Sequence, residues 1–513
     1  MKPCSSYLIL TFTLTAGLAH AGWREDVGYF DLLGYNGYYG NSLPSGASTP
    51  VELIEAPNSN GDYMPNVGDS RFSGKTITNI SNTSSGTSGH ATSVGALFFG
   101  NTYSLSPDTE TIGVRDANHF LSTFIGSPVV GSTNADVISH AYISYQGSNS
   151  VETIKALLAR FDFFCIDSDV VNVVGVANGA NSAIPPIWGS NYNAISVGRT
   201  DGLHSHGLTN TTFENDAGST GRQKPDLVAP LTSTSNATGA TAGAAKLIRD
   251  KALSSGNSDA SHPDTIKASL LAGATKDEFP NWSQTEARPL DSTFGAGELN
   301  IYNSYRIIEE AESSTGNVSH RGWARNSVTT SGNPNNQVRT YTFTTPNYPA
   351  GEIRLSAALN WQREVSNITY SYQSLDNLRL ELLDSGDSLI QASDSAEDNV
   401  EHIWNTGLQP NTTYSLQVTS NSGSSAFSLA WHVDFAPANP VLTALSRNPS
   451  DIQLSFLNLQ PNLDYYVQRS TTFSETSWSN IAPLVPTTSS DSYTDNSPPG
   501  TDKVFYRLLP LLP

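Results

Sequence analysis

Between residues 50 and 310, short and almost continuously apolar runs alternate with longer segments of helical period, and no other feature limits the possible folds as strongly. VELIEA (51–56) is followed by HATSVGALFFG (90–100), where Val94, Leu97 and Phe98 recur at helical spacing. ADVISHAYIS (135–144), the helical VETIKALLARF (151–161), DVVNVVGVA (169–177), NAISVG (193–198), KPDLVAP (224–230) and the Ala-rich ATAGAAKLIRDKAL (240–253) continue the pattern. Strands without polar alternation are buried on both faces, and parallel neighbours need crossover connections that helices supply. The predicted fold class of this region is α/β, a parallel sheet flanked by helices.

After Glu309 the text changes to Ser, Thr, Asn and Gly punctuation with strands of period two. In RLSAALNW (354–361), Leu355, Ala357, Leu359 and Trp361 fall on one face; Leu378, Leu380 and Leu382 do so in NLRLELLD (377–384), and Tyr414, Leu416 and Val418 in TTYSLQVTS (412–420). Such alternation predicts an all-β sandwich. A Pro-rich joint, FAPANP (435–440), leads to a second, smaller sandwich with DIQLSF, DYYVQRS and KVFYRLL. The expected division is a leader over 1–21, an α/β domain over 22–312, a first sandwich over 313–436 and a small β domain over 437–513.

MKPCSSYLILTFTLTAGLAHA has Lys2, an apolar stretch from Tyr7 to about Leu18, and the small-x-small ending Ala19-His20-Ala21. That is the pattern of a secretory signal cut after Ala21, too short in its apolar part to span a bilayer. The expected location is secreted or periplasmic, without membrane insertion. Cys4 leaves with the signal, so Cys165 remains without an intramolecular partner and packing must hold the fold. The formal charge of −20 becomes −21 once Lys2 is gone, a field that repels nucleic acid and anionic lipid and favours a monomer.

In open α/β sheets, reacting groups gather at the carboxyl ends of the strands. Three residues respond to that rule. Glu55 ends the first strand, His90 sits in SGHATSVG at a helix start, and Ser235 sits in STSNATGATAGAAKLI at the start of a small-residue helix. A serine hydroxyl needs a neighbouring imidazole to take its proton, and that imidazole needs a carboxylate to fix its tautomer. The helix that begins at Ser235 would also turn its positive end toward an anion forming beside the serine.

The order of these segments resembles the subtilisin-like serine peptidases. Their histidine motif Gly-His-Gly-Thr-x-Val-Ala-Gly is met by Gly89-His90-Ala91-Thr92-Ser93-Val94-Gly95-Ala96. Their serine motif Gly-Thr-Ser-x-Ala-x-Pro-x-x-Ala-Gly is met by Ser233-Thr234-Ser235-Asn236-Ala237-Thr238-Gly239-Ala240-Thr241-Ala242-Gly243, preceded by the family-like Lys224-Pro225-Asp226-Leu227-Val228-Ala229-Pro230. The resemblance spans roughly residues 45–310 and closes with GAGELNIYNSYR (295–306). It implies a serine endopeptidase acting on protein or peptide substrates, with Ser235 as nucleophile and His90 as general base. The family's acid is an aspartate ending a strand; Glu55 falls on it, with Asp62 in NGDYMPN as the rival. The family's oxyanion asparagine corresponds to Asn178 in VVNVVGVANGAN, with Asn181 as the second choice.

Departures from the family pattern are Ala91, Ser233, Gly239 and the absence of Ser-x-Gly in ISHAYISY (138–145). They keep open the alternative of a catalytically inactive exported binding protein on the same fold. The GYFDLLGYNGYYGN stretch is too short for the inhibitory prodomain many members carry. By resemblance, the first sandwich is of the pre-peptidase C-terminal kind and the second is fibronectin-like. No cofactor is implied. Asp384, Asp387, Asp394 and Asp398 could offer oxygen ligands to structural Ca²⁺, but their spacing matches no EF-hand loop and solvated turns are expected.

Overall fold

The computed structural model describes residues 22–46, 49–81, 83–210, 221–347, 352–436, 441–447, 450–457, 459, 464–472, 478–500 and 504–511. The leader expected over 1–21 lies outside the described residues. Seven strands form one sheet: β1 (Val51–Glu55), β2 (Thr76–Asn79), β3 (Thr111–Asp116), β4 (Val137–His140), β5 (Val171–Gly175), β6 (Ile195–Arg199) and β7 (Leu227–Ala229), in the order β2-β3-β1-β4-β5-β6-β7. Every neighbouring pair is parallel. After β1 the chain builds outward on one side, then returns to place β4 on the other. The carboxyl ends of β1 and β4 therefore flank the topological switch point, where such sheets leave a crevice.

Helices cover both faces. The longer ones are α1 (Tyr29–Tyr38), α2 (Gly89–Phe98), α3 (Val151–Asp167), α4 (Thr234–Ser254), α5 (Pro263–Gly273) and α6 (Ile301–Glu309). Val51 and Leu53 of β1 join one core with Val94 and Phe98 of α2 and Ala244 and Leu247 of α4, whereas Ile54 points to the opposite core with Leu158, Phe161 and Phe164 of α3. The all-buried strands of the sequence thus meet helices on either side. The segment before β1 is an integral part of this unit, because Val27, Tyr29 and Leu32 are buried in the larger core.

Residues 316–436 fold as two packed sheets of five and four strands, antiparallel apart from the short edge strand Gly316–Asn317, and 441–511 as two antiparallel sheets of three strands each. The fold class is therefore as expected, an α/β unit followed by two all-β sandwiches. One strand differs from its predicted pattern. In Glu352–Asn360 every residue after Glu352 is buried, on both faces. Its Leu355, Ala357 and Leu359 face the sandwich interior, while Ala358, with Trp323, Val400 and Ala430, packs into the core that holds α5. The four-stranded sheet is covered twice, once by its partner sheet and once by the α/β unit.

No helix among the described residues is long and apolar enough to cross a membrane. The acidic residues of the first sandwich do not all lie in solvated turns. Asp384 accepts from Gly386 and Ser388 in an exposed turn, but Asp394 is held by Arg379 and Asn421, and Asp398 is 4% exposed. Among the described residues, no group of three or more His, Cys, Asp or Glu side chains is placed to hold a metal ion.

Candidate active site

Glu55 is the last residue of β1 and is 2% exposed. Its Oε1 lies 2.6 Å from His90 Nδ1. The imidazole is presented by the first turn of α2, whose N-cap Ser88 accepts from Ala91 N and so anchors the start of that turn. Burial raises the Glu55 carboxyl above its ordinary value, opposed by the hydrogen bond from His90. The same bond raises the His90 imidazole, against its own partial burial. A carboxylate out of water and an imidazole on its only bonded oxygen form a pair in which the Nδ1–H tautomer is fixed. The other nitrogen, Nε2, has no hydrogen-bond partner among the described residues and is left as an acceptor.

Asp62 does not reach this pair. Its Oδ1 accepts from Gly86 N at 2.7 Å, and its backbone is tied to Asn58 within a surface loop. Of the two candidate acids, Glu55 is the one within hydrogen-bond distance of His90.

Ser235 is the second residue of α4, and the packing of α4 on α2 decides what it faces. A Cβ added to Gly239 would lie 2.8 Å from Val94 O, and one added to Gly243 would lie 2.9 Å from Phe98 O. Two contacts that each advance four residues on both helices define a parallel pair at backbone-to-backbone distance. Continued one turn further back, the same four-residue register would pair position 235 with position 90. Among the described residues the Ser235 hydroxyl makes no hydrogen bond, to His90 or to any other group.

The first turn of α4 accounts for its amides one by one. Thr234 N donates to Asn178 Oδ1 at 3.0 Å, Asn236 N to the N-cap Ser233 Oγ at 3.2 Å, and Ala237 N to Ser233 O at 3.0 Å. The N–H of Ser235 alone has no partner among the described residues. Asn178 follows β5 and is exposed. Because a backbone N–H only donates, the atom it meets is the amide oxygen, and the Asn178 NH₂ is left as a donor without a partner among the described residues. Asn178 thus meets the residue just before Ser235, and its NH₂ and the Ser235 N–H are both without a partner among the described residues. Asn181 lies exposed three residues on and has no part in this contact.

No protein-family model and no curated protein sequence matches this chain. Solved structures match parts of it. The patellamide maturation protease PatA aligns with a TM-score of 0.34 at 17% identity, over 51% of this chain and 97% of its own. The epidermin leader peptide processing serine protease EpiP of Staphylococcus aureus aligns with a TM-score of 0.36 at 14% identity, over 53% and 78%. The pre-peptidase C-terminal domain of a Bacillus anthracis collagenase aligns with a TM-score of 0.17 at 11% identity, over 24% and 97%. At these scores the likeness adds nothing to the chemistry read from the side chains.

Two parts of the site had no counterpart in the sequence reading. Ser233, read only as a departure from a glycine, is the N-cap that orients the first turn; a serine just ahead of a helix is the signal that would have found it. The segment Leu203–Ser205, which pairs with the Asn178 loop, carries no motif at all.

Proposed function

We propose that this chain is a secreted or periplasmic serine endopeptidase of subtilisin-like fold, with Ser235 as nucleophile, His90 as general base and then acid, Glu55 as the orienting carboxylate and Asn178 as oxyanion donor. The single observation that carries the reading is the 2.6 Å contact between Glu55 and His90 on an imidazole whose helix register would pair it with position 235. In this reading Ser235 Oγ attacks the substrate carbonyl carbon as its proton passes to His90 Nε2. Glu55 stabilises the imidazolium across the Nδ1–H bond. The carbonyl oxygen, becoming an anion, accepts from Asn178 Nδ2 and the free Ser235 N–H. His90 then gives the proton to the leaving amine, and water repeats the sequence on the acyl-enzyme. The partner is a protein or peptide substrate, the working form is a monomer, and no cofactor takes part.

The missing hydrogen bond between Ser235 and His90 supports a second reading, an exported binding protein that keeps the groove without turnover. Resting sites often close this bond only when substrate is bound, which favours the first. Covalent labelling separates them. A fluorophosphonate is expected to modify the folded mature protein at Ser235, seen by intact mass, and to leave Ser235→Ala untouched. A folded wild type that takes no label would end the peptidase reading.

A further inference from the structure

Asn178 is held on its side-chain oxygen by Thr234, yet where its NH₂ points depends on the backbone of an exposed loop. That backbone is pinned from a segment of the chain with no other part in the site. Gly179 N donates to Leu203 O at 3.0 Å, Ser205 N to Ala177 O at 2.8 Å, and Ala177 N to Ser205 Oγ at 2.9 Å, with Asn178 and His204 paired between them. The pinning segment is itself anchored by one ring. His204 is fully buried; its Nδ1 accepts from Arg199 N at 3.1 Å and its Nε2–H donates to Thr293 O at 2.9 Å. Both partners have a fixed polarity, so the tautomer is fixed as well. The ring fits because β6 has glycine beneath it, where a Cβ at Gly198 would come within 2.5 Å of Nε2.

We infer that His204 is a positioning residue for the oxyanion donor. Locked between β6 and the loop at Thr293, it holds Leu203–Ser205 in register with Ala177–Gly179 and so fixes the aim of the Asn178 amide. Burial keeps the imidazole neutral, its pKa pushed down to about 4, so the lock keeps its donor and acceptor pattern at neutral pH. The role follows from how oxyanion donors work. A donor aimed in advance at the site of developing charge lowers the barrier, and a shift of a fraction of an ångström removes much of that effect.

The inference rests on the peptidase reading, and one experiment separates the two. The rate constant and the binding constant for phosphonylation of Ser235 by a fluorophosphonate are measured for the full mature chain, for His204→Phe, for Asn178→Ala and for the double variant. His204→Phe keeps a ring but loses both hydrogen bonds. The expected result is a rate constant lower by about tenfold with the binding constant unchanged, part of the roughly hundred- to thousandfold that loss of an oxyanion donor brings. His204→Gln, which can still donate toward Thr293 O, should recover some of that rate. In the Asn178→Ala background His204→Phe should slow labelling no further, because its effect passes through the missing amide. Ser205→Ala, which removes the acceptor of Ala177 N, gives the same cycle should His204→Phe fail to fold. Equal losses in both backgrounds, or no loss at all, would overturn the positioning role while leaving the peptidase reading intact. A wild type that never labels sinks the reading and the inference with it.

Discussion

Glu55 is the carboxylate bonded to His90, and the proposed reaction depends on it. Its carboxylate is more deeply buried than a strand-end acid needs to be, and its one bonded oxygen serves His90. Glu55→Gln keeps the shape but removes the charge that stabilises an imidazolium, and it permits the wrong tautomer. The expected loss in kcat is about 10³- to 10⁴-fold. The pH profile carries a second prediction. The proposed reaction needs neutral His90, so the rate is expected to rise with pH through the His90 pKa, which the Glu55 bond holds above its ordinary 6.5. Without that bond the imidazole loses its proton more easily, and the acidic limb of kcat/KM moves to lower pH even as the plateau falls. An unmoved limb in Glu55→Gln would mean that His90 is not the base. Asp62→Asn, by contrast, should leave rate and profile unchanged, because Asp62 serves the Gly86 turn. If the proposed peptidase role holds, Asn178→Ala should raise the kcat barrier by about 3–4 kcal/mol with little change in KM, measured on a peptide that the wild type is found to cleave.

At the scale of elements, the close pairing of α2 and α4 does what no single motif residue can. Gly239→Ala tests it. In an exposed helix interior this change would stabilise by about 1 kcal/mol, since alanine is the better helix former. Here the new Cβ meets Val94 O at 2.8 Å, and a backbone carbonyl in the middle of a helix cannot swing aside as a flexible side chain would. Overpacking of this kind costs about 1–3 kcal/mol, so the clash outweighs the propensity and the net effect is destabilising. The helices part, Ser235 moves away from His90, and the labelling rate well below Tm falls by more than the loss of folded protein explains. An increase in Tm with normal labelling would show that the register argument is wrong. The same pair shows what was legible in the sequence. The apolar runs announced the parallel sheet because strands covered on both faces leave no polar alternation, and Glu55, His90 and Ser235 stood out as candidates because each stands at the end or start of such an element. The 203–205 segment could not be found, since its effect passes through backbone pairing and one buried ring. Nor could the second buried face of Glu352–Asn360, where Ala358 and Ser356 look like solvent-side residues until α5 is known to cover them.

For the whole molecule, that covered face decides whether the α/β unit stands alone. Ala358, Ala430, Trp323 and Val400 share one core with Ile266, Leu270 and Leu271 of α5, so the boundary at 312 cuts through a continuous apolar interior. Polar groups cross it in pairs as well. Tyr372 donates to Asp162 at 2.5 Å, Asn360 to Asp264 at 3.0 Å, and Arg363 N to Asn193 Oδ1 at 2.8 Å, while Lys276 donates to Ala274 O and Ser356 Oγ between the rings of Trp282 and Trp404. Lys276 is buried, and the loss of water drives its amine well below its ordinary pKa. Cutting the chain at 312 would take hydrogen-bond partners from Asp162, Asp264 and Lys276 and expose the apolar side of α5, and each buried polar group left short of a partner costs about 1–3 kcal/mol. A few such losses equal the whole stability of a typical domain, roughly 5–15 kcal/mol. A chain of residues 22–312 is therefore expected to aggregate, whereas 22–436 should fold, label with a fluorophosphonate and melt in calorimetry as one transition that includes the first sandwich. Two well-separated transitions in 22–436, or a soluble 22–312 that labels at the full rate, would show the sandwich to be an appendage rather than half of the α/β unit's interior.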